Sequence, residues 1–89
     1  MVITLYGKAG CGLCDDAREL LENLAAQHAF DLSEVDIRHD AALFERYRYR
    51  IPVVTIDGRE VAEGRIDPAE LAAAVAGQSA SGQSRRRDQ

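Results

Sequence analysis

Cysteine is scarce in this 89-residue sequence, and so are the residues that would join it in a metal site. The chain has two cysteines, Cys11 and Cys14, and two histidines, His28 and His39. A closed structural zinc site takes about four ligands, and the histidines have no ligand spacing relative to the cysteines. We therefore expect no complete metal site within one chain and assign the histidines no role.

The sequence also lacks an excess of positive charge and a long apolar segment. Acidic residues outnumber Lys and Arg by 15 to 11, which gives a formal net charge of −4 at pH 7. This balance disfavours nonspecific affinity for nucleic acid, which depends on neutralising phosphates. No apolar stretch approaches the roughly 20 residues of a membrane-spanning helix, and no secretory leader is recognisable at the start. We expect a soluble, cytoplasmic protein that binds neither nucleic acid nor membranes.

The end of the sequence has little that could join a hydrophobic core. Residues 77–89 contain no apolar side chain larger than alanine. Such a segment cannot bury enough apolar surface to offset the entropy lost on ordering. Its run of arginines at 85–87 is interpreted as a solvated end rather than as a binding site. The sequence therefore predicts one domain at residues 1–76 and a disordered polar tail at residues 77–89.

The two cysteines form the motif Cys11-Gly12-Leu13-Cys14, directly after an apolar run that predicts a strand. Where a helix begins, a gap of two residues brings both sulfurs within reach of a disulfide. Free backbone amides and the helix dipole at such a start favour a thiolate on the first cysteine. Cys11 is thus the expected nucleophile and Cys14 the resolving thiol. In a reducing cytosol, an exposed motif of this kind is more often catalytic than structural.

Hydrophobic periodicity predicts the first elements of the chain. Residues 2–6 are a β-branched and aromatic run typical of a buried strand. Apolar residues recur at helical spacing over residues 14–28, and residues 30–37 alternate imperfectly as a second strand. Asp40 is suited to cap a short helix over residues 40–47. This part of the chain therefore predicts strand, helix, strand and helix.

The second half predicts a hairpin and a last helix. Pro52 stops any helix and opens a third strand at residues 53–56. The dipeptide Asp57–Gly58 is a strong hairpin signal before a returning strand at residues 60–62, and Asp67–Pro68 caps and starts the final helix. The order β-α-β-α-β-β-α predicts a parallel crossover followed by an antiparallel pair. We expect an α/β fold with a four-stranded mixed sheet flanked by helices, and the cysteines at the carboxyl end of strand 1.

Three motifs occur in this order along the chain: Tyr6-Gly7-Lys8-x-x-Cys11-x-x-Cys14, Ile51–Pro52, and Gly64 followed by Asp67. In these motifs the chain resembles a glutaredoxin of the thioredoxin superfamily. Residues 50–53 resemble, more narrowly, the small glutaredoxin-like proteins of bacteria. The resemblance covers residues 1 to about 76 and implies a thioredoxin fold.

The resemblance also implies a substrate-binding surface around the cysteines. In this family a cis peptide bond precedes the proline at the position of Pro52, and Ile51 would offer its backbone N–H and C=O to an extended substrate. Lys8 stands where glutaredoxins carry a lysine that contacts a carboxylate of glutathione. Arg50, next to the proline turn, is a candidate substrate contact, and Gly64 completes the predicted site.

The chain departs from the family's pattern before its last helix. Where glutaredoxins usually have Gly-Gly, this chain has Glu63–Gly64. Arg65 and Ile66 replace the small or polar residues that hold the γ-glutamyl end of glutathione. A carboxylate near an anionic tripeptide is unfavourable unless Arg65 offsets its charge. Glutathione is therefore a possible cosubstrate, and its binding depends on how these charges are placed.

Together these features predict a monomeric thiol–disulfide oxidoreductase of cell redox homeostasis, with no bound cofactor. The Cys11 thiolate attacks a protein disulfide or a glutathione mixed disulfide, and Cys14 resolves the product. Glutathione or a thioredoxin reductase-type system then reopens the disulfide by electron transfer. Two other interpretations stay open: a protein that binds zinc or an iron–sulfur cluster through Cys11 across a dimer, and a redox-inert adaptor that binds a peptide beside Pro52.

Overall fold

A computed structural model describes the backbone of residues 1–87 and the side chains of residues 1–77. Four strands form one sheet: β1 Val2–Gly7, β2 Asp31–Asp36, β3 Val53–Ile56 and β4 Arg59–Glu63. The helices are α1 Gly12–Ala25, α2 Ala41–Tyr47 and α3 Pro68–Arg87, with a 3₁₀ turn at Ile37–His39 before α2. The strand order is β2-β1-β3-β4, in which β1 and β2 are parallel and the other pairs antiparallel. The predicted α/β fold with a four-stranded mixed sheet is confirmed.

The hydrophobic core lies on both faces of the sheet, because successive residues of a strand point to opposite faces. One cluster joins the sheet to α1 and α3; its buried members are Ile3, Leu5, Ala17, Leu21, Val54, Ile56, Leu71 and Val75. The other joins the sheet to α2 and consists of Ile37, Tyr47 and Val53. Every residue of β3 is buried, as expected for a central strand with helices over both faces.

Local signals in the sequence place several element ends. The Asp40 carboxylate caps α2 by accepting hydrogen bonds from two backbone N–H groups, at 2.9 and 3.1 Å. Asp57 and Gly58 have φ angles of 49° and 87°, the conformation that a two-residue hairpin turn requires. At the start of α3, the Asp67 carboxylate accepts a hydrogen bond from the Ala69 N–H at 2.8 Å. The predicted caps and turn are therefore present.

Other boundaries differ from the predicted ones. Helix α1 begins at Gly12 and ends at Ala25 rather than near His28. Its end tightens because the N–H groups of residues 26 and 27 donate to carbonyls three residues back, those of Asn23 and Leu24. The 3₁₀ turn was not predicted; it begins where the Asp36 carboxylate accepts a hydrogen bond from the backbone two residues on, at 2.9 Å. The ends of β1, β2 and β4 differ from the predictions by at most one residue, and those of β3 agree with them.

The backbone of α3 is described to Arg87, past residue 76, where the domain is predicted to end. Its inward-facing residues Leu71 and Val75 are buried in the core. The side chains of residues 78–89 lie outside the described ones, and the disordered polar tail at residues 77–89 stays a prediction. Within the described residues, no helix has both the length and the apolar character needed to span a membrane.

Candidate active site

A row of paired residues crosses the sheet at the carboxyl end of β1. In order from β2 to β4, its members are Val35, Tyr6, Val53 and Glu63. For each strand, one residue lies just past this row toward the carboxyl end of β1. In the same order, these residues are Asp36, Gly7, Pro52 and Gly64. The cysteine turn, the proline turn and the end of β4 therefore meet at one end of the sheet. The predicted site residues come together here, from separate parts of the sequence.

Cys11 is the N-cap residue of α1 and is half-buried. Its backbone is extended, with φ −99° and ψ 109°, and its Sγ accepts a hydrogen bond from the Cys14 N–H at 3.2 Å. A sulfur in this position lies at the positive end of the helix dipole. Both the hydrogen bond and the dipole favour negative charge on the sulfur.

Cys14 is more buried than Cys11, and its pKa is raised. Its side chain is 1% exposed, in the first turn of α1. Burial raises the pKa of the Cys14 thiol to about 11, and a hydrogen bond to the Cys11 sulfur adds to this, while a hydrogen bond from the Lys8 backbone acts in the opposite direction. At neutral pH, Cys14 is thus a protonated thiol. The two sulfurs therefore have different chemistry although they are only three residues apart.

Gly7, the last residue of β1, makes room for Cys14. A Cβ atom at this position would lie 2.8 Å from the Cys14 Sγ and 3.1 Å from its Cβ. Both distances are too short for van der Waals contact, so a larger residue would push the thiol away. The sequence indicated only a turn near Gly7, and its contact with Cys14 was not predicted.

The acidic residues at the start of α1 are partly neutralised. The Arg18 side chain contacts Asp15 at 3.0 Å and Glu34 at 2.8 Å. Arg18 and Glu34 line a cavity of about 280 Å³ between β1, α1 and β2, and Cys14 and Lys8 line it as well. The charge of Asp15, which opposes a thiolate at the helix start, is thus paired.

The proline turn is joined to the end of β4 by backbone hydrogen bonds. The Ile51–Pro52 peptide bond is cis. The Gly64 N–H donates to the carbonyl oxygen of Pro52 at 2.8 Å, and Gly64 has a φ of +69°, which favours glycine. The Ile51 N–H donates to the Tyr47 carbonyl at 3.1 Å. This N–H is thus bound within the chain, and the contact of Ile51 with a substrate stays a prediction.

Arg50 is held by carboxylates of β4. Its guanidinium lies 2.5 Å from a Glu60 oxygen and 2.6 Å from a Glu63 oxygen, and 5.3 Å from the centre of the Tyr47 ring. The Tyr47 hydroxyl donates to Glu60 at 3.1 Å, and the hydrogen bond from Arg50 lowers the pKa of Glu60. We call Tyr47, Arg50, Glu60 and Glu63 the Arg50 cluster. Sequence reasoning missed it, although the hairpin signal brings β4 back beside the proline turn.

Two further cations, Lys8 and Arg65, lie at this end of the molecule. Lys8 is exposed beside the cysteine turn. Arg65 lines a second cavity, of about 300 Å³, together with Leu13 and Ile66, between α1 and the start of α3. The charge of Glu63 is therefore offset by Arg50, whereas the sequence suggested Arg65 for this role.

Comparisons with known proteins agree with this geometry. A family model described as Glutaredoxin-like domain (DUF836) matches residues 2–76. An uncharacterized protein of Mycobacterium tuberculosis is 32% identical over 79 residues, covering 83% of this chain and 81% of the relative. A solved structural genomics target from X. campestris is 40% identical, with a TM-score of 0.65 over 80% of this chain and 91% of that chain.

A more distant structure supports the same architecture. Thioredoxin 1 of Thermosipho africanus is 14% identical, with a TM-score of 0.72 over 93% of this chain and 99% of that chain. At this identity the likeness shows the fold alone, which is the thioredoxin fold. With the family model covering nearly all of the predicted domain and the paired cysteines at the end of β1, this chain belongs to the glutaredoxin-like family of the thioredoxin superfamily.

Proposed function

We propose that this chain is a thiol–disulfide oxidoreductase in which Cys11 is the nucleophile and Cys14 the resolving thiol. The observation that carries the proposal is the difference between the two sulfurs. Cys11 is half-buried and accepts a hydrogen bond at the helix start, whereas Cys14 is buried and has a raised pKa. Such a difference suits a dithiol in which one sulfur attacks as a thiolate while the other keeps its proton.

The first step forms a mixed disulfide. The Cys11 thiolate attacks one sulfur of the substrate disulfide, the substrate S–S bond breaks, and the leaving thiolate takes a proton from solvent. Cys14 then loses its proton and attacks the Cys11 Sγ, and the mixed disulfide bond breaks. The second substrate sulfur leaves as a thiolate and takes up a proton equivalent to the one that Cys14 lost. The substrate gains two electrons and two protons, and the dithiol becomes an intramolecular disulfide.

The mixed disulfide itself prepares Cys14 for the second step. The hydrogen bond to Cys11 and the charge of Cys11 both raise the pKa of Cys14. Once the Cys11 sulfur is bonded to the substrate, it no longer carries a negative charge. Cys14 then loses its proton more easily than in the free enzyme, at the stage where its thiolate is needed.

The surroundings of the dithiol suit an extended disulfide-bearing segment as the substrate. The Ile51 carbonyl, Pro52 and Gly64 lie at the same end of the sheet as Cys11, and exposed Lys8 lines a cavity with Cys14. Both cysteines come from one chain, so a monomer suffices for the reaction. An external thiol, from glutathione or a reductase-type system, would return the disulfide to the dithiol in the reducing cytoplasm.

The proposal is tested by trapping the mixed disulfide. Reduced protein is mixed with excess bis(2-hydroxyethyl) disulfide, quenched with acid and analysed by intact-mass spectrometry. We expect the parent to lose two hydrogens, Cys14→Ser to gain one hydroxyethylthio group on Cys11, and Cys11→Ser to do neither. A parent that stays a dithiol, or an adduct that maps to position 14 in the parent, would contradict the proposal.

A further inference from the structure

We propose that a cavity beside the dithiol selects polypeptide substrates that carry an apolar residue next to the reacting cysteine. The cavity is the one of about 300 Å³ between α1 and the start of α3. We call it the Leu13 groove, and its apolar lining consists of Leu13, Ala17, Leu20, Ile66 and Pro68. This inference rests on the proposed function, because it concerns the disulfides that the Cys11 thiolate attacks.

The groove starts within reach of a substrate bound to Cys11. Leu13 follows Cys11 by two residues, so their Cα atoms are at most about 7 Å apart. In a mixed disulfide, the Cα of the substrate cysteine lies about 4.4–6.8 Å from the Cys11 Cα. The residues on either side of the substrate cysteine are one Cα spacing further, about 3.8 Å. A side chain next to the substrate cysteine can therefore contact the Leu13 end of the groove.

The topology of the sheet places the groove at the cysteine turn. Strand β3 is antiparallel to both β1 and β4, so β1 and β4 end at the same end of the sheet. Helix α1 follows β1, helix α3 follows β4, and both helices pack on the same face of the sheet. The two helices therefore begin at the same end of the molecule as the dithiol, and the groove lies between their first turns.

The groove differs in chemistry from the cavity on the other side of α1. That cavity lies between β1, α1 and β2, and its lining includes the charged residues Lys8, Arg18, Glu34 and Asp36. The lining of the Leu13 groove includes five apolar residues. An apolar side chain gains free energy when it leaves water for an apolar surface. Of the two cavities, the Leu13 groove is thus the one that favours an apolar side chain.

The proline turn leads a substrate toward this groove. The Gly64 N–H donates to the Pro52 carbonyl at 2.8 Å, which joins the end of β4 to the proline turn. Arg65 and Ile66 follow Gly64 directly and line the groove. A segment that lies along Pro52 and Gly64 while it is bonded to Cys11 is therefore adjacent to the groove.

The groove has an apolar floor and a charged rim. Leu13, Leu20 and Ile66 are half-buried, so each keeps apolar surface that a substrate can cover. The rim residues are exposed: Asp16, Glu19 and Arg65. Among the side chains that the structure describes, no ion pair joins Arg65 to either carboxylate across the groove. Apolar surface surrounded by solvated polar groups is the usual arrangement at the centre of a protein interface.

Glutathione does not have the group that would fill this groove. Its cysteine is flanked by a γ-glutamyl group and a glycine, neither of which has an apolar side chain. The substrate class that fits best is a protein segment with leucine, isoleucine, methionine or phenylalanine beside the reacting cysteine. Such a segment covers the apolar floor, whereas glutathione leaves it in contact with water.

The test compares two short peptides, each supplied as its symmetric disulfide. In one peptide, leucine flanks the cysteine on both sides, and in the other, serine replaces both leucines. The Cys11 thiolate of Cys14→Ser attacks one peptide sulfur, the peptide S–S bond breaks, and the second peptide leaves as a thiolate that solvent protonates. The quantity measured is the leucine-to-serine ratio of these rates, divided by the same ratio for 2-mercaptoethanol, which corrects for intrinsic reactivity. We expect a corrected ratio of about ten.

Substitutions in the groove should lower this ratio. In the Cys14→Ser background, we expect Ile66→Ala to reduce it to about three, because part of the apolar floor is lost. Pro68→Ser, at an exposed position, should reduce it as well without opening the core. The control is Leu43→Ala, which shortens a half-buried leucine of α2 on the other face of the sheet and should leave the ratio near ten. Glutathione disulfide, measured in parallel, should react at nearly the same rate in all of these proteins.

The outcomes separate this inference from the proposed function. If both peptides react with Cys11 at a corrected ratio near one, selection by the groove is wrong and the proposed function stands. A ratio near ten that neither groove variant lowers would place the apolar preference elsewhere and overturn the inference. Variants that slow glutathione disulfide as much as the leucine peptide would make the groove a glutathione site, which also overturns it. If no disulfide reacts with Cys11, both the proposed function and the inference are wrong.

Discussion

The Cys11→Ser variant is expected to reduce disulfides at least about a thousandfold more slowly than the parent at pH 7, because the remaining thiol is a poor nucleophile. Cys14 has a pKa of about 11. A thiol with such a pKa is a thiolate in about one molecule in ten thousand at pH 7. Burial of the thiol is the largest cause of the rise in its pKa, and Cys14 stays buried when Cys11 is replaced. The measurement is the initial rate of thiol release from bis(2-hydroxyethyl) disulfide.

The pH dependence of the same variant gives a second readout. As the pH rises from 7 but stays below the pKa of Cys14, the thiolate fraction of Cys14 grows, so the residual rate of Cys11→Ser should increase by about tenfold for each pH unit. The matched control is Cys14→Ser, which keeps the first step and should form its mixed disulfide at nearly the parental rate. A Cys11→Ser variant that retains a tenth or more of the parental rate at pH 7 would show that Cys11 is not the nucleophile.

Gly7→Ala is expected to destabilise the reduced protein by about 1–3 kcal/mol, because the new methyl group overlaps the Cys14 side chain. The Cβ would lie 2.8 Å from the Cys14 Sγ, and Cys14 is only 1% exposed. Displacing this thiol should also slow the resolving step, so that mixed disulfide accumulates in the variant. Urea denaturation of the reduced proteins measures the stability, and acid quenching with intact-mass analysis measures the mixed disulfide.

Gly12→Ala is the control for this substitution. Gly12 is the first residue of α1, and a Cβ there meets no atom within 4 Å. Alanine also has the higher helix propensity, so the control should be neutral or slightly stabilising. Equal stability losses in the two variants would mean that the close contact at Gly7 is relieved by a small shift of the backbone.

Much of the fold could be predicted because its determinants are local. The Asp57–Gly58 hairpin, the Asp40 cap and the Asp67–Pro68 helix start each depend on a few neighbouring residues. The alternation of buried residues in the strands then determined which face each strand presents. The order of elements followed, and with it the place of the cysteines at the end of β1.

The finer features of the site depend on contacts between distant residues. The close approach of Cys14 to Gly7 arises only when α1 packs on β1, and the identity of neither residue predicts it. The Ile51 N–H is bound to Tyr47 because α2 ends one turn before the proline. Arg50 meets two carboxylates because of the register between β3 and β4, which a bulge between Val54 and Thr55 shifts. Periodicity alone does not fix that register.

The most direct test of the central claim is the redox equilibrium of Cys11 and Cys14. Parent protein is equilibrated anaerobically in glutathione buffers of increasing oxidised fraction, quenched with acid and analysed by intact-mass spectrometry. We expect one transition from the dithiol to an intramolecular Cys11–Cys14 disulfide as the buffer becomes more oxidising. A protein that stays a dithiol in every buffer, or that is oxidised only to glutathione adducts, would contradict the claim that this pair is a redox-active dithiol.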